Sequence, residues 1–187
     1  MKFHFIASVE GDKGSYKLIF KALKDLGCQP VTYHILTRTM KGINKESSEE
    51  SEAYVRKMIG WIRKADFIVF EVTKEEIGCG YEMMISLDKC KPCLVLYQEK
   101  RGRVPPVLRG VKNERLTIYS YKKDEILELK KTLKVALKEV KQQTEIRFTM
   151  LLSPKIVSYL KELSKKKGIP RSVYIRKLIK EDIKKKK

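Results

Sequence analysis

The sequence has little histidine, tryptophan and cysteine: 187 residues contain two, one and four of them. The cysteines are Cys28, Cys79, Cys90 and Cys93, and only the last two stand at motif spacing, in Lys89-Cys90-Lys91-Pro92-Cys93. A structural zinc wants four ligands, and only His4 and His34 could join that pair, so neither a metal site nor another cofactor is expected, and no disulfide. Long apolar runs are lacking too, which argues against a membrane span, and the apolar start Met1 to Ser8 is too short for a secretory signal. A cytoplasmic protein follows as the expectation. Acidic side chains are the remaining shortage: 23 Asp and Glu face 42 Lys and Arg, a net charge of +19, and this predicts an acidic partner, nucleic acid first. A hydrophobic fraction of 42% still supports a folded core.

The charge is unevenly spread. Residues 144–187 carry 14 basic and 4 acidic side chains, net +10, whereas residues 1–143 carry 28 and 19, net +9. Over residues 1–141 short apolar runs (2–8, 29–35, 66–72, 92–97 and 115–120) alternate with helical spacing, as in Ile19, Ala22, Leu23, Leu26 and in Ile126, Leu129, Leu133, Ala136, Val140. Phe67 to Phe70 and Cys93 to Leu96 are apolar on both faces, as strands covered by helices on both sides must be. The pattern predicts a doubly wound α/β domain of about five parallel strands, flavodoxin-like or Rossmann-like, with its site in the loops after Ser8, His34 and Val72. Trp61 and Tyr81 read as core residues.

A helix from about Lys122 to Lys141 closes that domain, and a different pattern follows. Residues 145–152 alternate as a strand, with Arg147, Thr149 and Leu151 on one face and Ile146, Phe148, Met150 and Leu152 on the other. Ser153-Pro154 then opens a helix that stops at Gly168, and Pro170 starts a second with Ile175, Leu178, Ile179 and Ile183 inward. About 40 residues are too few for an autonomous core, which predicts a homodimer or higher even oligomer. Arg147 to Ser153 with Gly168 to Arg176 resembles the ribbon-helix-helix DNA-binding family. The resemblance implies paired ribbons in the major groove of double-stranded DNA, where Arg147 would contact guanine, Thr149 a base edge and Leu151 at most a thymine methyl. Leu151 departs from the polar residue expected there. Arg171 and Ser172 would hold a phosphate through backbone N–H groups. The domains are read as 1–141 and 145–187; a plain dimerisation device is the alternative role for the second.

Within the first domain, Trp61 to Thr73 followed by Gly78-Cys79-Gly80-Tyr81-Glu82 resembles the nucleoside 2-deoxyribosyltransferase superfamily, and within it the 2'-deoxynucleoside 5'-monophosphate N-hydrolases, over residues 1–135. Gly78 and Gly80 would let backbone approach a ligand, and Glu82 in the first helical turn would be kept ionised by the helix dipole. The resemblance implies that Glu82 is the nucleophile of N-glycosidic cleavage; a helix-capping role is the bland alternative. His4 stands at the family's active-site tyrosine and Met58 at its aspartate. Glu76 and Pro105-Pro106 fall at the phosphate-binding serines. A carboxylate disfavours a 5'-phosphate there, although Lys13, Arg101 and Arg103 add positive charge. With Ser8, Gly11 and His34 these residues make a partly degenerate ligand site. Two functions follow as expectations: a dimeric DNA-binding transcriptional regulator that senses a nucleoside or nucleotide, or an active N-glycosidase or deoxyribosyltransferase localised or dimerised by its C-terminal module.

Overall fold

The computed structural model describes residues 1–100, 104–123, 125–143 and 150–185. Five strands, β1 (Lys2–Ala7), β2 (Gln29–Pro30), β3 (Phe67–Glu71), β4 (Cys93–Gln98) and β5 (Leu116–Tyr121), form one all-parallel sheet in the order β2-β1-β3-β4-β5. The order reverses between β1 and β3, the position at which doubly wound sheets open a crevice beyond the strand ends. The α/β expectation therefore holds, with helices on both faces.

Alternation along the strands sorts the core into two layers. Phe3, Phe5, Phe67, Val69, Leu94 and Leu96 pack under α1 (Lys13–Asp25) and the later α7. Ile6, Ile68, Phe70, Cys93 and Val95 pack under α4 (Ser48–Lys64) and α5 (Ile77–Asp88). Two short helices, α2 (His34–Thr37) and α3 (Met40–Ile43), precede α4, and α6 (Pro106–Gly110) follows β4. α4 begins in a capping box: the Ser47 hydroxyl accepts from Glu50 N, and the Glu50 carboxylate accepts from Ser47 N. α7 (Ile126–Gln142) starts at the first residue of its apolar periodicity, four residues after the expected Lys122.

The second strand is shorter than expected. Val31 N makes the last ladder bond, to the Phe3 carbonyl at 2.8 Å; the Thr32 hydroxyl then accepts from His34 N at 3.1 Å, so the chain turns and His34 begins α2 instead of ending β2. Tyr81 is also corrected: α5 turns Cys79, Met83 and Ser86 inward, and Tyr81 is 61% exposed on its outer side.

The backbone divides into two compact units, 1–146 and 147–187. In the second, α8 (Pro154–Lys167) and α9 (Arg171–Lys185) pack on each other. Ser153 precedes α8 in extended backbone without a side-chain cap bond, and Gly168 terminates it at φ 63°, a left-handed position suited to glycine. Leu160 is buried, whereas Leu178, Ile179 and Ile183 of α9, expected inward, are about half exposed in the single chain. Met150 to Leu152 form no strand, and Leu151 is fully exposed. The rest of the expected ribbon, including Arg147 and Thr149, lies outside the described residues.

Candidate functional site

The sequence of β1 puts His4 on the α4/α5 side of the sheet, opposite Ile68 in register. α2, α4 and α5 all touch this strand, so residues from three separate segments meet over it. His4 is completely enclosed, and neither of its ring nitrogens has a hydrogen-bond partner. The His34 ring stacks beside it at 5.3 Å, and Trp61 lies 5.6 Å from His4 and 4.6 Å from His34. Tyr54 closes the cluster edge-on to Trp61 at 6.0 Å. Trp61 is thus half-buried beside this cluster in addition to packing against the core.

Burial and His34 lower the His4 pKa to about 3. Burial, then Arg38 and Lys13, lower that of His34 to about 4. Both imidazoles are neutral near pH 7, each with one donor and one acceptor. Nδ1 of His34 is another buried atom without a partner. Buried polar groups normally find partners in protein or solvent, so a cluster of such atoms marks a place prepared for a ligand edge or water.

Glu82 lies in the second turn of α5, because the helix begins at Ile77. The helix dipole acts mainly within the first turn, so it cannot dominate the titration of Glu82. Burial and then the neighbouring Glu76 push its carboxyl up to about 7, with Arg38 opposing them. The expected firmly ionised Glu82 is thereby replaced by one that titrates near neutrality. Burial, followed by the charge of Glu82, also raises the Tyr54 phenol, which ties the carboxylate electrostatically to the aromatic wall.

Arg38 and Tyr54 were not singled out in the sequence. The Arg38 guanidinium sits 3.4 Å over the Tyr54 ring and forms a 2.8 Å ion pair with Glu46. Tyr54, Met58 and Trp61 recur at i, i+4 and i+7 on α4, a spacing that could have revealed one helix face. Met58, at the aspartate position, is buried among Ile62, Ile68 and Phe70.

The other expected ligand residues separate. Glu76 occupies the N-cap of α5, and its carboxylate accepts from Val9 N at 3.2 Å, tying the β1–α1 loop to α5. Ser8 is buried; its Oγ accepts from Glu10 N, and its carbonyl accepts from the Tyr16 hydroxyl at 2.9 Å. Gly11 serves packing: a Cβ there would lie 1.7 Å from the Tyr16 hydroxyl. Gly78 faces the Glu76 carboxylate, while Gly80 opens onto an apolar groove of about 420 Å³ between α5 and α6. Arg103 lies outside the described residues. Beyond the ends of β3 and β5, Glu71, Thr73, Gln98 and Tyr121 line a separate 380 Å³ hollow with Asp12 and Ser15. There the buried Glu71 accepts from Tyr121 and Thr73.

Arg171 and Ser172 are exposed at the start of α9, where first-turn N–H groups lack intrahelical partners. Among the described residues, no three His, Cys, Asp or Glu side chains converge as a metal site, and no helix is long and apolar enough to cross a membrane.

Comparison with known proteins bears on both halves. A family model described as Ribbon-helix-helix domain matches residues 136–185. The 5-hydroxymethyl-dUMP N-hydrolase of Mus musculus is 27% identical over 128 residues, covering 66% of this chain and 73% of its own. A putative 2'-deoxynucleoside 5'-phosphate N-hydrolase 1 of Nematostella vectensis is 28% identical over 135 residues, covering 68% and 90%. A solved CMP N-glycosidase of Clostridium botulinum, BcmB, superposes with a TM-score of 0.49 at 14% identity, over 71% of this chain and 98% of that one.

Proposed function

We propose that this chain, which joins an α/β domain similar to deoxynucleoside 5'-phosphate N-hydrolases to a ribbon-helix-helix domain, is a dimeric DNA-binding regulator with a nucleoside- or nucleotide-sensing pocket. The observation that carries the reading is the buried histidine cluster. His4 is enclosed with both ring nitrogens unpartnered, while Met58, packed in the core, fills the position of the family's proton-handling aspartate. Such a site keeps hydrogen-bonding groups for a ligand edge and lacks the aspartate that would help expel the base.

In this reading the domains are 1–141 and 145–187. His4 and His34 meet the base, Glu82 and Glu76 face the sugar, and Ser8, Gly11, Gly78, Gly80 and Arg103 shape the surrounding loops. Arg147, Thr149 and Leu151 meet base edges in the major groove, and Arg171 and Ser172 hold a phosphate. The uncovered apolar residues of α9, Leu178, Ile179 and Ile183, support a second copy as partner. The setting is cytoplasmic.

A second reading is favoured by the titration of Glu82 near 7, which leaves a carboxylate able to attack above that pH, with a water or another side chain protonating the leaving base. An active N-glycosidase or deoxyribosyltransferase would then attack the anomeric carbon with Glu82, and kcat/KM would rise with pH as that carboxyl ionises. Incubation with deoxynucleosides and their monophosphates decides between the readings. The sensor expects bound ligand, changed DNA affinity and no free base; base release that disappears in Glu82→Ala selects the enzyme.

A further inference from the structure

The basic excess of the α/β domain has a definite place. Lys17, Lys21 and Lys24 recur at i, i+4 and i+7 on α1, and Lys134, Lys138 and Lys141 at i, i+4 and i+7 on α7. All six are exposed, on the sides of their helices opposite the buried Ile19, Leu23, Leu133 and Val140. The helices pack side by side, joined by the Lys130–Asp25 ion pair at 2.7 Å. The two rows therefore share one outward surface.

Carboxylates on these helices are already engaged. Asp25 serves Lys130, Glu128 pairs with Lys131 at 2.8 Å, and Glu139 accepts from the Tyr119 hydroxyl at 2.9 Å. Lys21 and Lys24 feel Asp25 only at longer range. Among the described residues none of Lys17, Lys21, Lys24, Lys134 and Lys138 has an ion-pair partner. α4 differs: it carries three carboxylates, Glu49, Glu50 and Glu52, ahead of its four basic residues, and Arg56 pairs with Glu52. Like charges at i, i+4 weaken a helix, so the lysine rows do not serve folding.

We propose that this α1/α7 face is a second DNA-contacting surface, binding duplex phosphates without reading sequence. The proposal goes beyond base reading by the C-terminal module and shares with it only the partner. Successive lysines one turn apart rise about 6 Å along each helix, and packed helices lie roughly 8–10 Å apart, giving a grid of mobile point charges. A duplex carries one phosphate charge per roughly 1.7 Å of axis, so several ammonium groups meet phosphates at once and release counterions.

The test uses the full chain, a labelled duplex and a salt series. A variant with Lys17→Gln, Lys21→Gln, Lys134→Gln and Lys138→Gln should reduce the log–log salt slope by about 0.9 for each phosphate no longer neutralised, leave sequence preference unchanged, and unfold thermally at or slightly above the wild-type temperature. The corresponding four Lys→Arg changes should keep the slope. An unchanged slope in the glutamine variant overturns the proposal, as does tighter binding to single-stranded RNA than to the duplex. Arg147→Ala separates the two readings. If it leaves sequence preference intact while the glutamine variant flattens the slope, base reading falls and this surface stands.

Discussion

His4 shows how far one residue's chemistry depends on its surroundings. Its position on β1 and its departure from tyrosine are both visible in the chain, yet the enclosure and the missing partners arise because α2, α4 and α5 converge there. The native state favours neutral His4 and His34, with pKa values of about 3 and 4 against an ordinary 6.5. Their contribution to stability is full above pH 6.5 and is lost as pH falls through the folded values. His4→Phe should therefore flatten the loss of urea stability between pH 6.5 and 4; an unchanged slope of stability against pH would count against neutral burial. Gly11 allows a different forecast. Gly11→Ala must displace the buried Tyr16 from its bond to the Ser8 carbonyl, which should cost about 2–4 kcal/mol in denaturant titration. The glycine is plain in the sequence, but the hydroxyl filling its missing Cβ is brought there by the turn into α1.

At the scale of elements, the ends carry what periodicity does not. α5 finishes in a Schellman turn: Lys91 N donates to the Ser86 carbonyl, and Cys90 N donates to the Leu87 carbonyl. Cys90 takes the left-handed position there at φ 56°, where glycine is usual. Cys90→Gly should stabilise the chain by about 1 kcal/mol, seen as a higher Tm, because it removes a side-chain clash from a turn already built. The same turn gives the Cys90-x-x-Cys93 spacing a structural role. Cys93 is buried at the start of β4, with its thiol pushed up to about 12, which leaves little nucleophilic thiolate. β2 teaches a related lesson: its apolar run extends to position 35, but the ladder ends with the bond from Val31 N to the Phe3 carbonyl, since an element's length depends on available hydrogen bonds as well as on hydrophobicity.

For the whole molecule, the chain combines a self-contained α/β core with a small helical unit whose apolar face remains open. Ile179→Glu should lower any dimer affinity at least tenfold in sedimentation and weaken DNA binding in parallel, while leaving the sheet domain folded. Dimerisation that withstands the change would place the interface elsewhere. The sheet and the class of each half were legible because strand periodicity, apolar runs and turn residues are local properties. The candidate site was only partly so. Glu82 stood in a recognisable motif, but Arg38 and Tyr54 come from stretches without one, and their relation to Glu82 exists only once α2 and α4 have packed on β1.

The sequence by itself determined the alternation of strand and helix, the two helices of the C-terminal unit and the concentration of positive charge at that end, since each follows from short-range pattern and composition. Tertiary structure alone decided that two histidines 30 positions apart stack on each other, that Glu82 titrates near neutrality, and that lysines from α1 and α7 form one surface. These properties depend on distance and desolvation between residues remote in the chain, and neither quantity is encoded by spacing along it.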